Sequence, residues 1–390
     1  MIALCRHNTV TLSFKYPAHV KSTRAIRIIT SLSLGVVALS AITWLGLGQI
    51  SGQISRIDVF AGLSNRPEKV NSALNYLVVG SDNREGLTKE QLKKLRVGGV
   101  KVAAGGRSDT MLLVHISKNR DAAYIVSLPR DTLVTIPAHM SQDGKSQIPA
   151  RYGKLNAAFA FGGAPLLIET IEGMTDLKVD HYVEVSFAGF VGVVDALGGI
   201  QVCSKVDIND PKSHLVMSAG SHVLDGVEAL KYVRTRDFDG RGDIGRMERQ
   251  QQFVSAIIRK ATSSGTLLNP IKLANFYKAT ISTVKMDEGV NKNDLLTLAK
   301  QMRNLSSGNV RTMTVPLSDP NGRYPGLGSV VIWDSTLAPE LWNRIKTDVA
   351  LVDVIPAKKS SASPKASPSA STVDKFKTRT AAENPCAANK

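Results

Sequence analysis

The run "YVRTRDFDGRGDIGRMERQQ", Tyr232 to Gln251, packs five arginines into twenty residues with carboxylates between them. Arginine's planar fork grips phosphate oxygens two at a time, so such a run suits a ligand rich in phosphate. Arg234 and Arg236 stand two apart and point the same way in an extended segment. With Asp243 capping a following helix, Arg246, Arg249 and Gln250 share one face of it. Met247, Val254 and Ile258 then fall on the neighbouring face, towards a core. Asp237, Asp239 and Asp243 would hold the arginines in place or balance their charge. The other reading of the run is a solvated helix face laced with i,i+4 ion pairs.

Other charged residues close apolar runs. "NYLVVGSDNR" places Asp82 and Arg84 just past one strand, and "GGRSDTMLLVHI" places Arg107 and Asp109 just before another. On neighbouring strands, these carboxylates and guanidiniums would gather at one sheet edge. Paired carboxylates there bind Mg²⁺, or Mn²⁺ in its place, and share its shell with phosphates. The competing reading makes each acid a turn residue. "VSLPRDTLVTIP" adds Arg130 and Asp131, and "RYGKLNAAF" adds Arg151, Lys154 and Asn156. Asn156 is read as a helix N-cap, with Lys154 set to meet an anion at that helix start. Seven scattered histidines and three cysteines give no zinc pattern, and there is no Walker A sequence or G-x-S-x-G elbow. The chemistry in view is phosphate held between a hard cation and arginines.

The elements that must position these residues alternate. "ALNYLVVGSD", "TMLLVHI", "AYIVSLPRD", "HYVEV" and "GGIQVCS" read as strands. "NAAFAFGGAPLLIETIEGM", "FAGFVGVVDALGG", "LDGVEALKYVR" (with Asp225 as cap), the run from Gly245 to Ala261, "NDLLTLAKQMRNL" and "TLAPELWNRIKTD" read as helices. Alternation of this kind predicts an α/β fold, a sheet covered by helices on both faces.

More than half of the net charge of +16 sits in two terminal segments, +5 in residues 1–27 and +4 in 351–390. Isoelectric point alone is therefore a weak argument for a nucleic-acid partner, and none is expected. Residues 28–55 contain no charge, and "IITSLSLGVVALSAITWLGL" would span about 30 Å as a helix. We read 1–27 as a basic cytoplasmic segment, 28–50 as a transmembrane anchor and 51–71 as a linker. Residues 72–350 form the extracytoplasmic domain. A cleaved signal peptide is the alternative, with "ALSA" at Ala38–Ala41 as its processing site. Residues 356–390, rich in Ser, Pro, Ala and Lys, read as a disordered tail. Cys203 and Cys386 would both lie outside the cell, either bridged or as a buried strand residue and a free tail thiol.

Taken in order behind one anchor, "NYLVVGSDNR", "GGRSDTMLLVHI", "VSLPRDTLVTIP", "KLNAAFAFGG", "DHYVEVSFAGFVGVVDALGGI" and "LDGVEALKYVRTRDFDGRGDIGRMERQQ" resemble the LytR-CpsA-Psr family. The resemblance runs from about Leu74 to Ala261 and is less distinct over 262–350. It implies a mixed β-sheet sandwiched between helices. It also implies a membrane-anchored phosphotransferase that moves a glycopolymer (teichoic acid, capsule or arabinogalactan) from a polyprenyl-pyrophosphate carrier to peptidoglycan. On that basis Asp82 and Asp109 bind the metal. Arg107, Arg130, Lys154, Arg234, Arg236, Arg246, Arg249 and Gln250 bind pyrophosphate. Arg130 and Arg236 serve catalysis, and Asp131 or Asp243, as acids amid arginines, would accept the attacking hydroxyl's proton. The carrier's isoprenoid tail requires an apolar groove, for which Phe159, Phe161, Leu167, Ile171, Phe187, Phe190 and Val194 are candidates, the alternative being plain core. Three rivals remain at this level: a polyprenyl-pyrophosphate hydrolase, a transcriptional regulator and a non-catalytic wall-binding module.

Overall fold

The computed structural model describes residues 55–97, 108–263, 284–290, 305–355 and 371–383. The apolar runs assemble one mixed sheet from β1 (Ser55–Ile57), β2 (Leu74–Ser81), β3 (Ser108–Ile116), β4 (Ala123–Leu128), β5 (His181–Val185), β6 (Val284–Asp287), β7 (Val310–Thr314) and β8 (Arg379–Thr380). Their spatial order is β1-β6-β5-β2-β3-β4-β7-β8. Strand β5 is parallel to β2, β7 is parallel to β4, and β3 runs antiparallel between β2 and β4. The C-terminal ends of β2, β4, β5 and β7 therefore share one edge of the sheet. In mixed sheets of this kind that edge is the usual place for a ligand.

Among the described residues there are six α-helices: α1 (Lys89–Leu95), α2 (Leu155–Thr175), α3 (Phe187–Ala196), α4 (Gly226–Arg234), α5 (Gly242–Ser263) and α6 (Leu337–Lys346). Strand alternation sorts side chains between them. In β4, Tyr124, Val126 and Leu128 pack with Leu167 of α2 and Leu341 of α6. Ala123 and Ile125 face the other way, onto Val254 and Ile258 of α5. The sheet is thus covered on both faces, as the alternation predicts. A further core joins α1, α3, α4 and α5 to the Ile200–Ser204 and Gly220–Leu224 hairpin. Gly226 makes the α3–α4 crossing close, since a Cβ there would lie 2.5 Å from the Val191 carbonyl oxygen. Residues Gln53–Lys390 form one compact unit, which holds all three of these apolar clusters.

Two boundaries read from composition change. The segment taken as a linker is part of the fold from Ser55 on: β1 pairs with β6, Val59 is fully buried, and Arg66 pairs with buried Glu172. The tail taken as disordered is ordered over 371–383, where Ser371–Val373 pairs with Asp353–Ile355 and β8 pairs with β7. Phe376 and Ala381 are buried, and Arg259 Nη1 donates to the carbonyls of Ala381 and Glu383, each at 2.7 Å. Two buried apolar residues and main-chain pairing leave little trace in composition. Cys203 is disulfide-bonded, and the chain's other cysteines, Cys5 and Cys386, lie outside the described residues. Among the described residues no helix is long and apolar enough to cross a membrane, and the anchor read over 28–50 lies outside them, as does the helix read over "NDLLTLAKQMRN".

Candidate active site

Strand ends bring the charged turns together. β2 and β3 are antiparallel neighbours, with Gly80 opposite Thr110 and Ser81 opposite Ser108. Asp109 is therefore the extra residue of a bulge, a distortion common beside functional sites. Asp82 follows β2 at the same edge, so the two acids expected on neighbouring strand ends are placed there by the backbone. Asn83 makes an Asx-turn, its Oδ1 accepting from Glu85 N at 2.8 Å, and its carbonyl accepts from Phe187 N at the start of α3. Arg84 lies in that turn, whereas Arg107 is outside the described residues.

Past β4, the turn at Arg130–Asp131 faces the first turn of α5. Three guanidiniums converge there on one carboxylate. Arg130 Nη2 lies 3.3 Å from Asp243 Oδ2, Arg246 Nη2 lies 3.4 Å from the same oxygen, and Arg236 Nε lies 3.0 Å from Oδ1. The Arg236 contact is an ion pair out of line for a hydrogen bond. Asp131 links to this set through Arg130 Nε at 3.3 Å and carries Lys154 Nζ on its other oxygen at 3.2 Å. A cleft of about 230 Å³ opens among Arg130, Asp131, Asp243, Arg246, Gln250 and Asn321. That volume is of phosphate head-group size, below the ~300 Å³ at which drug-sized pockets begin.

Two residues hold the arginines in place. Gln251 is buried, and its Nε2 donates to Ser127 Oγ at 3.2 Å and Thr314 Oγ1 at 2.6 Å, fixing α5 to the ends of β4 and β7. Asp210, 1% exposed, accepts main-chain N–H bonds from Arg236 at 2.5 Å, Asp237 at 2.8 Å, Lys212 at 2.9 Å and Ser213 at 2.7 Å. Burial pushes the Asp210 carboxyl up, but these donors overcome it and hold its pKa down at about 2. The depression from an ordinary aspartate corresponds to about 2 kcal/mol of stability. Because the folded value is the lower one, that contribution is complete above the unfolded pKa of about 4 and vanishes as pH falls through about 2. Asp210→Ala leaves four main-chain donors, one buried and three part-buried, without an acceptor. It is expected to cost about 3 kcal/mol in calorimetric unfolding at pH 7 and to lower turnover by releasing Arg236, with Asp210→Asn intermediate.

A LytR_cpsA_psr family model matches residues 51–347. The chain belongs to the LytR-CpsA-Psr family. Among its relatives, "Probable cell wall biosynthesis protein LcpB" of Corynebacterium glutamicum is 35% identical over 317 residues, 81% of this chain and 69% of that protein. "Polyisoprenyl-teichoic acid--peptidoglycan teichoic acid transferase TagU" of Bacillus cereus is 31% identical over 225 residues, 57% of this chain and 70% of that one. A solved structure of TagT bound to LIIa-WTA superimposes with a TM-score of 0.54 at 26% identity, covering 75% of this chain and 99% of that one.

Within this LytR-CpsA-Psr domain the expected phosphate binders divide. Arg130, Arg236, Arg246 and Lys154 meet at the cleft through Asp131 and Asp243. Gln250 lines the cleft, its Nε2 donating to Val233 O at 3.3 Å. Arg249 is a buried brace, holding Asp239 at 2.7 Å and the Thr235 carbonyl at 2.8 Å over the Phe238 ring. Arg234 lies over the Phe187 ring at 5.4 Å. Arg241 pairs with Glu248 at 2.6 Å on the exposed side, so the solvated-face reading holds for that arginine. Arg151 stands over Phe161 at 4.9 Å, and the alternation of its strand turns it away from Lys154.

Three expectations are corrected. Asn156 is not the N-cap of α2, which starts at Leu155 with Lys154 in the cap position. The first amides of α2 donate to Thr132 and Arg130 carbonyls at 2.9 Å each, so they are spent within the chain and do not receive an anion. Asp243 lies inside α5, where its carboxylate serves the guanidiniums. The residues proposed for a lipid groove fall into two separate cores: Phe159, Phe161, Leu167 and Ile171 beside α2, and Phe187, Phe190 and Val194 beside α3. Leu167, Ile171 and Val194 are at most 1% exposed and offer no surface to a ligand.

Proposed function

We propose that this protein transfers a glycopolymer from a polyprenyl-pyrophosphate carrier to peptidoglycan during cell-wall assembly. The observation that carries this reading is the convergence of Arg130, Arg236 and Arg246 on Asp243 in a cleft of head-group size. Membership of the family and the teichoic acid transferase among its relatives support it. A pyrophosphate diester brings two negative charges, so the guanidiniums can exchange a single carboxylate for phosphate oxygens.

In this mechanism a muramic acid hydroxyl attacks the sugar-side phosphorus. A new P–O bond forms, the bridging P–O bond breaks, and the electron pair leaves on polyprenyl monophosphate. Arg130 and Arg236 stabilise the charge that grows during the step, which is where binding energy accelerates a reaction. We assign the proton acceptor to Asp131, because two cations face it against three around Asp243. Asp243 then acts as the counter-ion that keeps the guanidiniums together before substrate arrives.

Asp82 and Asp109 fit a hard, oxygen-ligated divalent ion. Among the described residues there is no group of three potential metal ligands. Mg²⁺ needs only one or two carboxylates beside waters and substrate phosphates, so the pair suffices. Held there, Mg²⁺ or Mn²⁺ would neutralise pyrophosphate charge. Asp82→Asn is expected to weaken Mn²⁺ binding at least about 10-fold, read by electron paramagnetic resonance without substrate; unchanged binding would remove Asp82 from the site. In the same reading the apolar run at 28–50 is a single-pass anchor that keeps the basic terminus cytoplasmic and the catalytic unit outside, next to its lipid-borne donor.

The test is incubation of Gln53–Lys390 with a polyprenyl-pyrophosphate glycan, peptidoglycan fragments and Mg²⁺. Polyprenyl monophosphate with a glycan–peptidoglycan phosphodiester is the expected outcome. Free glycan phosphate as the sole glycan product would instead make the protein a hydrolase.

A further inference from the structure

Tyr152 is the one exposed Phe, Trp or Tyr side chain among the described residues, at 57%. It stands in the strand Arg151–Lys154, which pairs antiparallel with Leu133–Ile136. Side chains two apart on a strand share a face, so Tyr152 and Lys154 point the same way, about 7 Å apart along the chain. Lys154 is one of the two cations on Asp131. The Tyr152 ring is met by Tyr324, with centroids 5.3 Å apart and planes tilted by 47°.

Tyr324 comes from a different element, the hairpin of Leu317–Tyr324 and Gly328–Trp333. Asn321 and Val331 of that hairpin line the cleft. Its attachment is to the same catalytic turn: Val331 N donates to the Asp131 carbonyl at 2.9 Å, and Trp333 Nε1 donates to Thr132 Oγ1 at 3.2 Å. Two elements, each fixed to the Arg130–Thr132 turn, thus meet in a tilted aromatic pair, whose Tyr152 stands two residues from Lys154. Core packing does not require a tyrosine as open as this. An aromatic face is electron-rich and attracts the polarised C–H groups that one side of a pyranose ring presents.

We propose that Tyr152 and Tyr324 form a sugar-stacking subsite for the acceptor, the β-1,4-linked glycan strand of peptidoglycan. The proposal rests on the transferase reading in one respect, the choice of acceptor over donor. The face bearing Tyr152 leads through Lys154 to Asp131, the group assigned to the acceptor hydroxyl. The phosphate-binding arginines Arg236 and Arg246 meet on Asp243 instead. A sugar next to the reacting one would lie over the tyrosines while its neighbour's hydroxyl reaches Asp131.

The test uses Gln53–Lys390 and an uncharged probe, the β-1,4 tetramer of N-acetylglucosamine, followed by saturation-transfer NMR and titration. Binding is expected for the natural sequence and for Tyr152→Phe, weakened at least fivefold in Tyr152→Ala, and unchanged in Arg236→Ala. Equal binding in Tyr152→Ala, loss in Arg236→Ala or no binding by the natural sequence would overturn the subsite. With peptidoglycan fragments as acceptor, Tyr152→Ala should raise the acceptor KM at least fivefold and leave the donor KM and kcat unchanged. Tetramer binding through Tyr152 in a protein that transfers nothing would sink the transferase reading and leave the sugar site standing.

Discussion

Arg236→Ala is expected to lower turnover of a polyprenyl-pyrophosphate glycan by about 100- to 1000-fold, the usual consequence of removing one fixed donor from developing charge. Three features of Arg236 lead to that size. Its backbone is anchored by Asp210, its Nε lies 3.0 Å from Asp243, and its side chain stays one-third exposed, at 34%. A partly exposed side chain contributes little to folding, so the melting temperature should barely move. Arg236→Lys retains the charge but loses the planar fork, and recovery of only part of the rate is expected. Turnover within tenfold of the natural enzyme in Arg236→Ala would show that the arginine cluster is not where the phosphate charge develops.

Asp131→Asn is expected to lower kcat by about 100-fold or more while leaving the donor KM nearly unchanged, as for loss of a general base. Asp243→Asn should behave differently. That carboxylate faces Arg130, Arg236 and Arg246 at 3.0–3.4 Å and, in the proposed mechanism, would compete with pyrophosphate for them. Removing its charge while keeping its shape should therefore lower the donor KM and reduce kcat by a smaller factor than Asp131→Asn. Steady-state kinetics of the two variants separate the roles, and a larger kcat loss in Asp243→Asn would reverse the assignment.

The parts of the site that were legible are those with a local signature. Alternating apolar runs place Asp82 and Asp109 at adjacent ends because β2 and β3 follow one another and pair antiparallel. The arginine run reads directly, since Arg236 and Arg246 come from one stretch of chain. Asp210 was missed for a physical reason: the partners that tie it to the arginine run are main-chain amides 26 and 27 residues away, and amides carry no sequence signal. The groove residues failed for a related reason. Apolar helices α2 and α3 look alike in sequence, yet pack into different cores. Similarly, polar composition concealed Phe376 and Ala381, whose burial and the pairing of β8 order the segment 371–383.

The most direct measurement is transfer in water enriched in oxygen-18, with the products analysed by mass spectrometry. Gln53–Lys390 would receive a polyprenyl-pyrophosphate glycan and peptidoglycan fragments in the presence of Mg²⁺. A glycan–peptidoglycan phosphodiester without the heavy isotope, beside unlabelled polyprenyl monophosphate, is the predicted result, because the attacking oxygen belongs to the sugar. Free glycan phosphate carrying one oxygen-18, with no phosphodiester, would mean that water is the nucleophile and would contradict the transferase account.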